Sequence, residues 1–274
     1  MIFFHMEVQS GEHMKKSTYS APSVQKAFKI LQAISESSNG LGISDLSKKL
    51  KIGKSTVHGI TTALEELGVL IRDPFYKRYT VGYGLLELCR TAYGKIELKE
   101  IARKPMEKLM GTIGETVFLG VLNGDRVTIV DVVESQNEMK ITSPPGTRLP
   151  LLAGATGRVL LSQIENEKAK EMIRKKGLVR YTSKTVMDHR QFLKEVEHVR
   201  KQGYAVDDEE YMAGVRAVAV PLPWTSSPPA ALWVVGFSST LDDHKIKTVI
   251  REIQETAQAV KQSLGGTLEK RLSS

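Results

Sequence analysis

The sequence predicts an α+β chain: an N-terminal winged helix-turn-helix, a connector helix, and a larger domain of antiparallel strands with helices packed on them. Three observations predict it. Three amphipathic helical stretches fill residues 23–67, the last two separated only by KIGK. Two short β segments, VLIRD and KRYTVG, follow at once, joined by PFY. Beyond Pro105, short apolar runs bounded by turn residues recur between charged helical stretches.

Composition bounds the class. The chain has 274 residues, 41% hydrophobic and 26% charged, enough to bury a sizeable core in a soluble globular protein. A net charge of +8 favours polyanionic partners. The single cysteine, Cys89, excludes an internal disulfide and fits a reducing cytoplasm. No apolar run approaches the roughly 18 residues of a membrane helix. Residues 1–20 are polar and aperiodic and are expected to form a disordered extension. The expected divisions are then 21–83 for the winged unit, 84–103 for the connector and 104–270 for the second domain.

In SVQKAFKILQAISES, Val24, Ala27, Leu31 and Ile34 share a face, with Ser23 expected as N-cap after Pro22. ISDLSKKL is a short helix with Ser44 as expected cap and Leu46 and Leu50 inward. KSTVHGITTALEELGVL places Val57, Ile60, Leu64 and Leu67 in one stripe and ends at Gly68 in the C-cap role. Gly59, in its middle, costs roughly 1 kcal/mol against alanine. Around Gly59 stand Ser55, Thr56, His58 and Thr62, short polar side chains that permit close approach.

In a helix-turn-helix the second helix of the pair enters the DNA major groove. Ser55, Thr56, His58 and Thr62 would then face base edges and phosphates of double-stranded DNA, while Lys54, Arg72, Lys77 and Arg78 would neutralise phosphates. The same geometry serves protein-binding modules, and a solvated basic face on a small helical domain is the plainer reading. GLLELCRTAYGKIELKEIAR is the connector, with Leu85, Leu88, Ile96 and Ile101 to bury against a second copy or the second domain, and a break expected near Gly94.

In the second domain a helix is expected from Pro105. ETVFLGVL and RVTIVDVVE form a hairpin, with Asn123-Gly124 as a type I′ signal. GATGRVLLS enters a helix. ENEKAKEMIRKKG and DHRQFLKEVEHVRKQG are charged amphipathic helices ended by glycine. YAVDD, VRAVAVPLPW and AALWVVGFS are strands, the last two joined by a Ser/Pro loop, and a helix over 241–264 closes the chain.

Catalytic signals are weak. No histidine has metal-ligand spacing with another or with Cys89, so no metal and no cofactor is expected. GATGRV lacks the Lys-Ser/Thr of a phosphate loop, and no GxSxG occurs. No residue is assigned a catalytic role. Asp207, Asp208, Glu209 and Glu210 read most simply as a solvated loop, and Cys89 and Trp233 as core. An enzyme acting on a molecule bound in the second domain remains the alternative.

The order SVQKAFKIL, LSKKLKIGKSTVHGITTALEELGVL, KRYTVGYGLLEL resembles the winged helix of the isocitrate lyase regulator (IclR) family. GETVFLGVLNGDRVTIVD, GTRLPLLAGATGRVLLS, GYAVDDEEYMAGVRAVAVPLP and ALWVVGFS resemble its effector domain. The resemblance covers about residues 22–264. It implies a GAF-like effector domain, operator DNA as partner, a small-molecule effector, and a homodimer or homotetramer. It also implies a ligand pocket at Ala155, Thr156, Asp207, Ala217, Trp233 and Val235. Three departures stand out: Gly59 where the family usually has arginine, Leu152 for histidine, and Arg158 for lysine. Because Ala217, Trp233 and Val235 replace small polar residues, the expected effector is an aromatic or other bulky carboxylate. Trp233 is its expected stacking surface, and Asp207 is expected to favour a hydroxyl or amine on it.

Overall fold

The computed structural model describes residues 4–5, 21–92, 97–222 and 228–272. The chain divides into two compact units, Gly11–Ile96 and Glu97–Ser274, the second including Met1–Ser10. The first described residues, β1 (Phe4–His5), belong to the second unit.

The smaller unit runs α1 (Pro22–Ser35), α2 (Ile43–Leu50), α3 (Lys54–Glu66), β2 (Leu70–Arg72), β3 (Tyr79–Val81) and α4 (Tyr83–Ala92). Pro22 is the first helical residue of α1 and Ala21 the cap, where Ser23 was expected. A proline suits that position because the N–H it lacks would be unpaired anyway. Gly42, not Ser44, caps α2, and its N–H donates to Asp45 Oδ2 at 3.2 Å. Lys51, with φ 55°, turns the chain toward α3. The core joins Ile30, Ala33, Ile34, Leu46, Ile52, Val57, Leu70 and Tyr79. Leu67, expected in the α3 stripe, is 70% exposed. Thr61 is buried on this helix instead, its hydroxyl satisfied by the carbonyls of Val57 and His58, each at 3.0 Å. Gly68 ends α3 with φ +66°, as the sequence predicts. In α4, Leu86 and Leu88 are exposed. The Cys89 side chain, Ile96 and the expected break near Gly94 lie outside the described residues.

The larger unit continues with α5 (Glu97–Ile113), β4 (Thr116–Asn123), β5 (Arg126–Val133), β6 (Ile141–Thr142), β7 (Arg148–Pro150), α6 (Gly154–Ser162), α7 (Asn166–Lys176), α8 (His189–Gln202), β8 (Ala205–Asp208), β9 (Val215–Leu222), β10 (Ala230–Phe237) and α9 (Asp243–Leu272). The Ser/Pro loop expected between the last two strands falls at 223–227, outside the described residues. Pro105, expected near a helix start, sits inside α5. The buried stripe Leu98, Ala102, Met106, Leu109, Ile113 runs straight through it. Burying that stripe outweighs the one backbone hydrogen bond a proline removes. The larger unit therefore begins at Glu97, inside the expected connector, and Leu98 and Ala102 belong to its core.

The six-stranded sheet has the order β7-β5-β4-β10-β9-β8, antiparallel at every step. Alternation along the strands splits its side chains between two cores. One face packs on α5 and α9, the other on α6, α7 and α8. β1 pairs in parallel with β6. The β4–β5 hairpin pairs Asn123 with Arg126, so Gly124 and Asp125 are the turn residues. Only Gly124 has positive φ, at 62°, which fits type II′ and not the expected type I′. Leu119 pairs Asp131 while Gly120 pairs Ile129, leaving Val130 as the extra residue of a bulge.

Candidate functional site

On the smaller unit, the exposed side of α3 carries Lys54, Ser55 and His58, with Thr56 and Thr62 half-buried beside them. His58 Nδ1 and Thr62 Oγ1 lie 2.9 Å apart, one turn along the helix. A Cβ on Gly59 would meet nothing within 4 Å. Packing therefore does not require glycine there; the position faces open space in the middle of the polar face. Lys77 is exposed on the wing. Arg78 is not a free cation: Nη1 donates to the Gly40 carbonyl at 2.8 Å and Nη2 lies 3.3 Å from Asp45 Oδ2. It ties the wing to the turn before α2.

On the larger unit, Ala155, Thr156, Asp207, Ala217, Trp233 and Val235 line one cavity of about 50 Å³. It lies over the sheet face that α6 covers. Small residues hollow that face: Ala217, Ala219, Ala231 and Gly120 leave room beside Trp233. A Cβ on Gly120 would stand 2.7 Å from the indole ring, so glycine there lets Trp233 lie flat. The Trp233 ring is buried and stacks on Phe118, with centroids 5.4 Å apart and an interplanar angle of 11°. It is both a core side chain and a wall of the cavity.

The polar end is built by the start of α6 and the end of β8. Ala153 caps α6 without a side-chain hydrogen bond, so the partial positive charge of the helix start faces the cavity. Beside it is the buried Asp207, whose Oδ1 accepts the Glu210 N–H at 2.7 Å. Burial pushes its carboxyl up to about 6 and the Glu210 charge adds to this; the Glu210 N–H and Arg158 oppose it. Asp207 and Glu210 are therefore turned inward, while Asp208 keeps about half of its side chain in solvent.

Arg158 explains why. It is buried, and its guanidinium pairs with Glu210, donates to the Val206 carbonyl at 3.1 Å and lies over the Phe192 ring. Its Nε stands 2.7 Å from Glu195 Oε2, close enough for charge attraction though the N–H does not point at the oxygen. Thr182 and Thr185 donate to the carbonyls of Glu209 and Glu210, and Lys184 holds Asp208 and Glu209. The segment braced in this way carries Tyr211 and Met212 into the cavity wall. Neither residue was singled out from the sequence; the only signal was their place directly after the acidic run. Leu152, at the position of the family's histidine, is buried and offers no hydrogen bond.

Among the described residues no group of three or more His, Cys, Asp or Glu is placed to hold a metal, and no helix is long and apolar enough to cross a membrane.

Comparison with known proteins agrees with this architecture. Residues 23–74 match the IclR helix-turn-helix domain and residues 90–262 the bacterial transcriptional regulator IclR C-terminal domain. The HTH-type transcriptional regulator XynR of Escherichia coli is 29% identical over 245 residues, 89% of this chain and 97% of that one. The Thermotoga maritima IclR structure is 28% identical with a TM-score of 0.68, covering 89% of this chain and 98% of its own. An IclR homologue from Microbacterium hydrocarbonoxydans, complexed with 4-hydroxybenzoate, shares the fold at 20% identity and a TM-score of 0.75, covering 89% and 99%. The chain is a DNA-binding transcriptional regulator and not an enzyme. With one model matching its helix-turn-helix and another most of the remainder, the chain belongs to the IclR family.

Proposed function

We propose that this regulator works in the cytoplasm as a homodimer or homotetramer, and that an effector in the α6 cavity sets its affinity for operator DNA. The effector has an acid group on an apolar, aromatic body. Its acid lies at the α6 start near Ala155 and Thr156, and its body against Trp233, Ala217 and Val235. The observation that carries this reading is the division of the cavity: one polar end, at the helix start and Asp207, and walls that are otherwise mainly apolar, Tyr211 apart. Such walls leave the extra oxygens of a small oxo acid without partners. The 4-hydroxybenzoate bound by the Microbacterium homologue has the proposed chemistry.

Volume favours a second reading. A cavity of about 50 Å³ is well below the roughly 150 Å³ that accepts benzene. A two- or three-carbon oxo acid needs less room. An aromatic acid enters only if Tyr211, Met212 or Trp233 moves, and that movement supplies a route by which binding changes the rest of the protein.

On DNA, Ser55, Thr56, His58 and Thr62 read base edges, and Lys54 and Lys77 contact phosphates. Leu85 and Leu88 of α4 provide a face for a second copy, giving palindromic half-sites. Thermal shift and calorimetry with benzoate, 4-hydroxybenzoate, glyoxylate and pyruvate test the effector class. Stabilisation by the aromatic acids alone supports the first reading; stabilisation by the oxo acids alone overturns it.

A further inference from the structure

We propose that Phe75 and Tyr76, at the tip of the β2–β3 wing, form an aromatic wedge that enters the minor groove of bound DNA and packs against a base step. This rests on the DNA-binding role of the smaller unit and adds an interaction that none of the polar contacts supplies.

Phe75 is 90% exposed and Tyr76 79% exposed. Scattered exposed apolar side chains are ordinary. Two adjacent aromatics at the apex of a short hairpin in a DNA-binding unit are a different matter, because every reason to keep them must lie outside the chain's own core. The tip is also rigid. Asp73 Oδ1 accepts the N–H groups of both Phe75 and Tyr76, each at 2.8 Å. The Asp73 N–H donates to the Arg78 carbonyl at 2.8 Å, and the Lys77 N–H donates to the Asp73 carbonyl at 3.0 Å. Arg78 then anchors the base of the loop on Gly40 and Asp45. A preformed tip loses little freedom when it docks.

The surroundings select the partner. Exposed Lys77 follows the two aromatics directly in the chain, and Arg72, exposed with its guanidinium over the Tyr79 ring, precedes them on β2; both carry charge suited to phosphates. An acidic polyanion whose interior offers stacked, apolar base surfaces satisfies both features together. The minor groove is about 6 Å wide, enough for a ring presented edge-on, and apolar wedges there kink the duplex at flexible steps. Pyrimidine–purine steps such as TA deform most readily.

The test compares the full chain with Phe75→Ser/Tyr76→Ser and Lys77→Ala on two duplexes, alternating dT-dA and alternating dG-dC, across a KCl titration. Fluorescence anisotropy reads affinity and end-to-end energy transfer reads bending. The double variant is expected to lose about tenfold in affinity on the dT-dA duplex and to lose the bend. Its salt slope should stay unchanged, because rings release no counterions. Lys77→Ala should instead lower the slope by about 1. Netropsin, which fills the minor groove of the dT-dA duplex, should remove the difference between wild type and the double variant. Equal affinity and bending by the double variant, with Lys77→Ala still lowering the slope, overturns the wedge and leaves DNA binding intact. A double variant whose sedimentation changes without DNA overturns it in favour of a contact between copies. A wild-type chain that binds neither duplex at low salt removes the DNA role of this surface and the wedge with it.

Discussion

The Asp207 carboxylate fills the space where a side chain at residue 154 would begin: a Cβ on Gly154 would stand 1.9 Å from Asp207 Oδ2. Gly154 also has φ +59°, a conformation that side chains resist. Gly154→Ala should therefore lose at least about 2 kcal/mol of stability. Adding Asp207→Ala should restore the part due to the clash and leave the part due to φ. A double-mutant cycle by urea denaturation checks this, with a coupling above about 1 kcal/mol expected.

Asp207 also predicts a pH dependence. Its carboxyl is raised from 3.8 to about 6 in the folded chain. Between those values the native state holds a proton that the unfolded chain has released. Stability from this group is fully present below about pH 4 and is lost as pH rises through about 6. The total is on the order of 3 kcal/mol. Asp207→Asn keeps an oxygen for the Glu210 N–H and cannot ionise, so it should flatten the pH 4–6 slope and stabilise the protein at pH 7. A carboxylate effector at the α6 start would bind best with Asp207 protonated. Its affinity should fall up to about tenfold per pH unit above about 6 in wild type, and not in Asp207→Asn.

Arg158, itself buried, compensates two partly buried carboxylates at once. Arg158→Ala should cost about 2–3 kcal/mol, less than for a fully buried pair, since Glu195 and Glu210 would lose their partner but keep some solvent. Arg158→Ala with Glu195→Gln and Glu210→Gln should recover much of it. Chemical denaturation at pH 7 reads both, and a cost below about 1 kcal/mol for the single variant would contradict the arrangement.

Neighbouring wing cations should behave differently. Lys77→Ala should leave the melting temperature unchanged and reduce the salt dependence of DNA binding by about one unit. Arg78→Ala should lower the melting temperature, because it releases the wing from Gly40 and Asp45. Equal effects of the two on both readouts would contradict that division.

Element types were legible because hydrophobic period and turn residues act locally; Gly68, Gly177 and Gly203 end their helices where the sequence places them. Boundaries were not, where tertiary burial decided. Pro105 sits inside α5 because the stripe from Leu98 to Ile113 outweighs a local rule, and Ser23 and Ser44 yield their cap positions to backbone geometry at Ala21 and Gly42. Charge was misread for the same reason. Arg78 and the acidic run look solvated along the chain, but Gly40, Asp45 and Arg158, distant in sequence, meet them in the fold. Asp207, Ala217 and Trp233 line the same cavity as Ala155, on elements 52 to 78 residues further along the chain, a juxtaposition that only family resemblance made visible.

Anisotropy of a duplex selected by the full chain from a random library, measured with and without 4-hydroxybenzoate, tests effector control most directly. The expected result is a change in DNA Kd of about 5- to 150-fold, the usual range of coupling between sites. Asp207→Ala should alter the acid concentration needed while leaving acid-free DNA binding intact. DNA affinity that is the same with the acid bound, as shown by calorimetry, would contradict it.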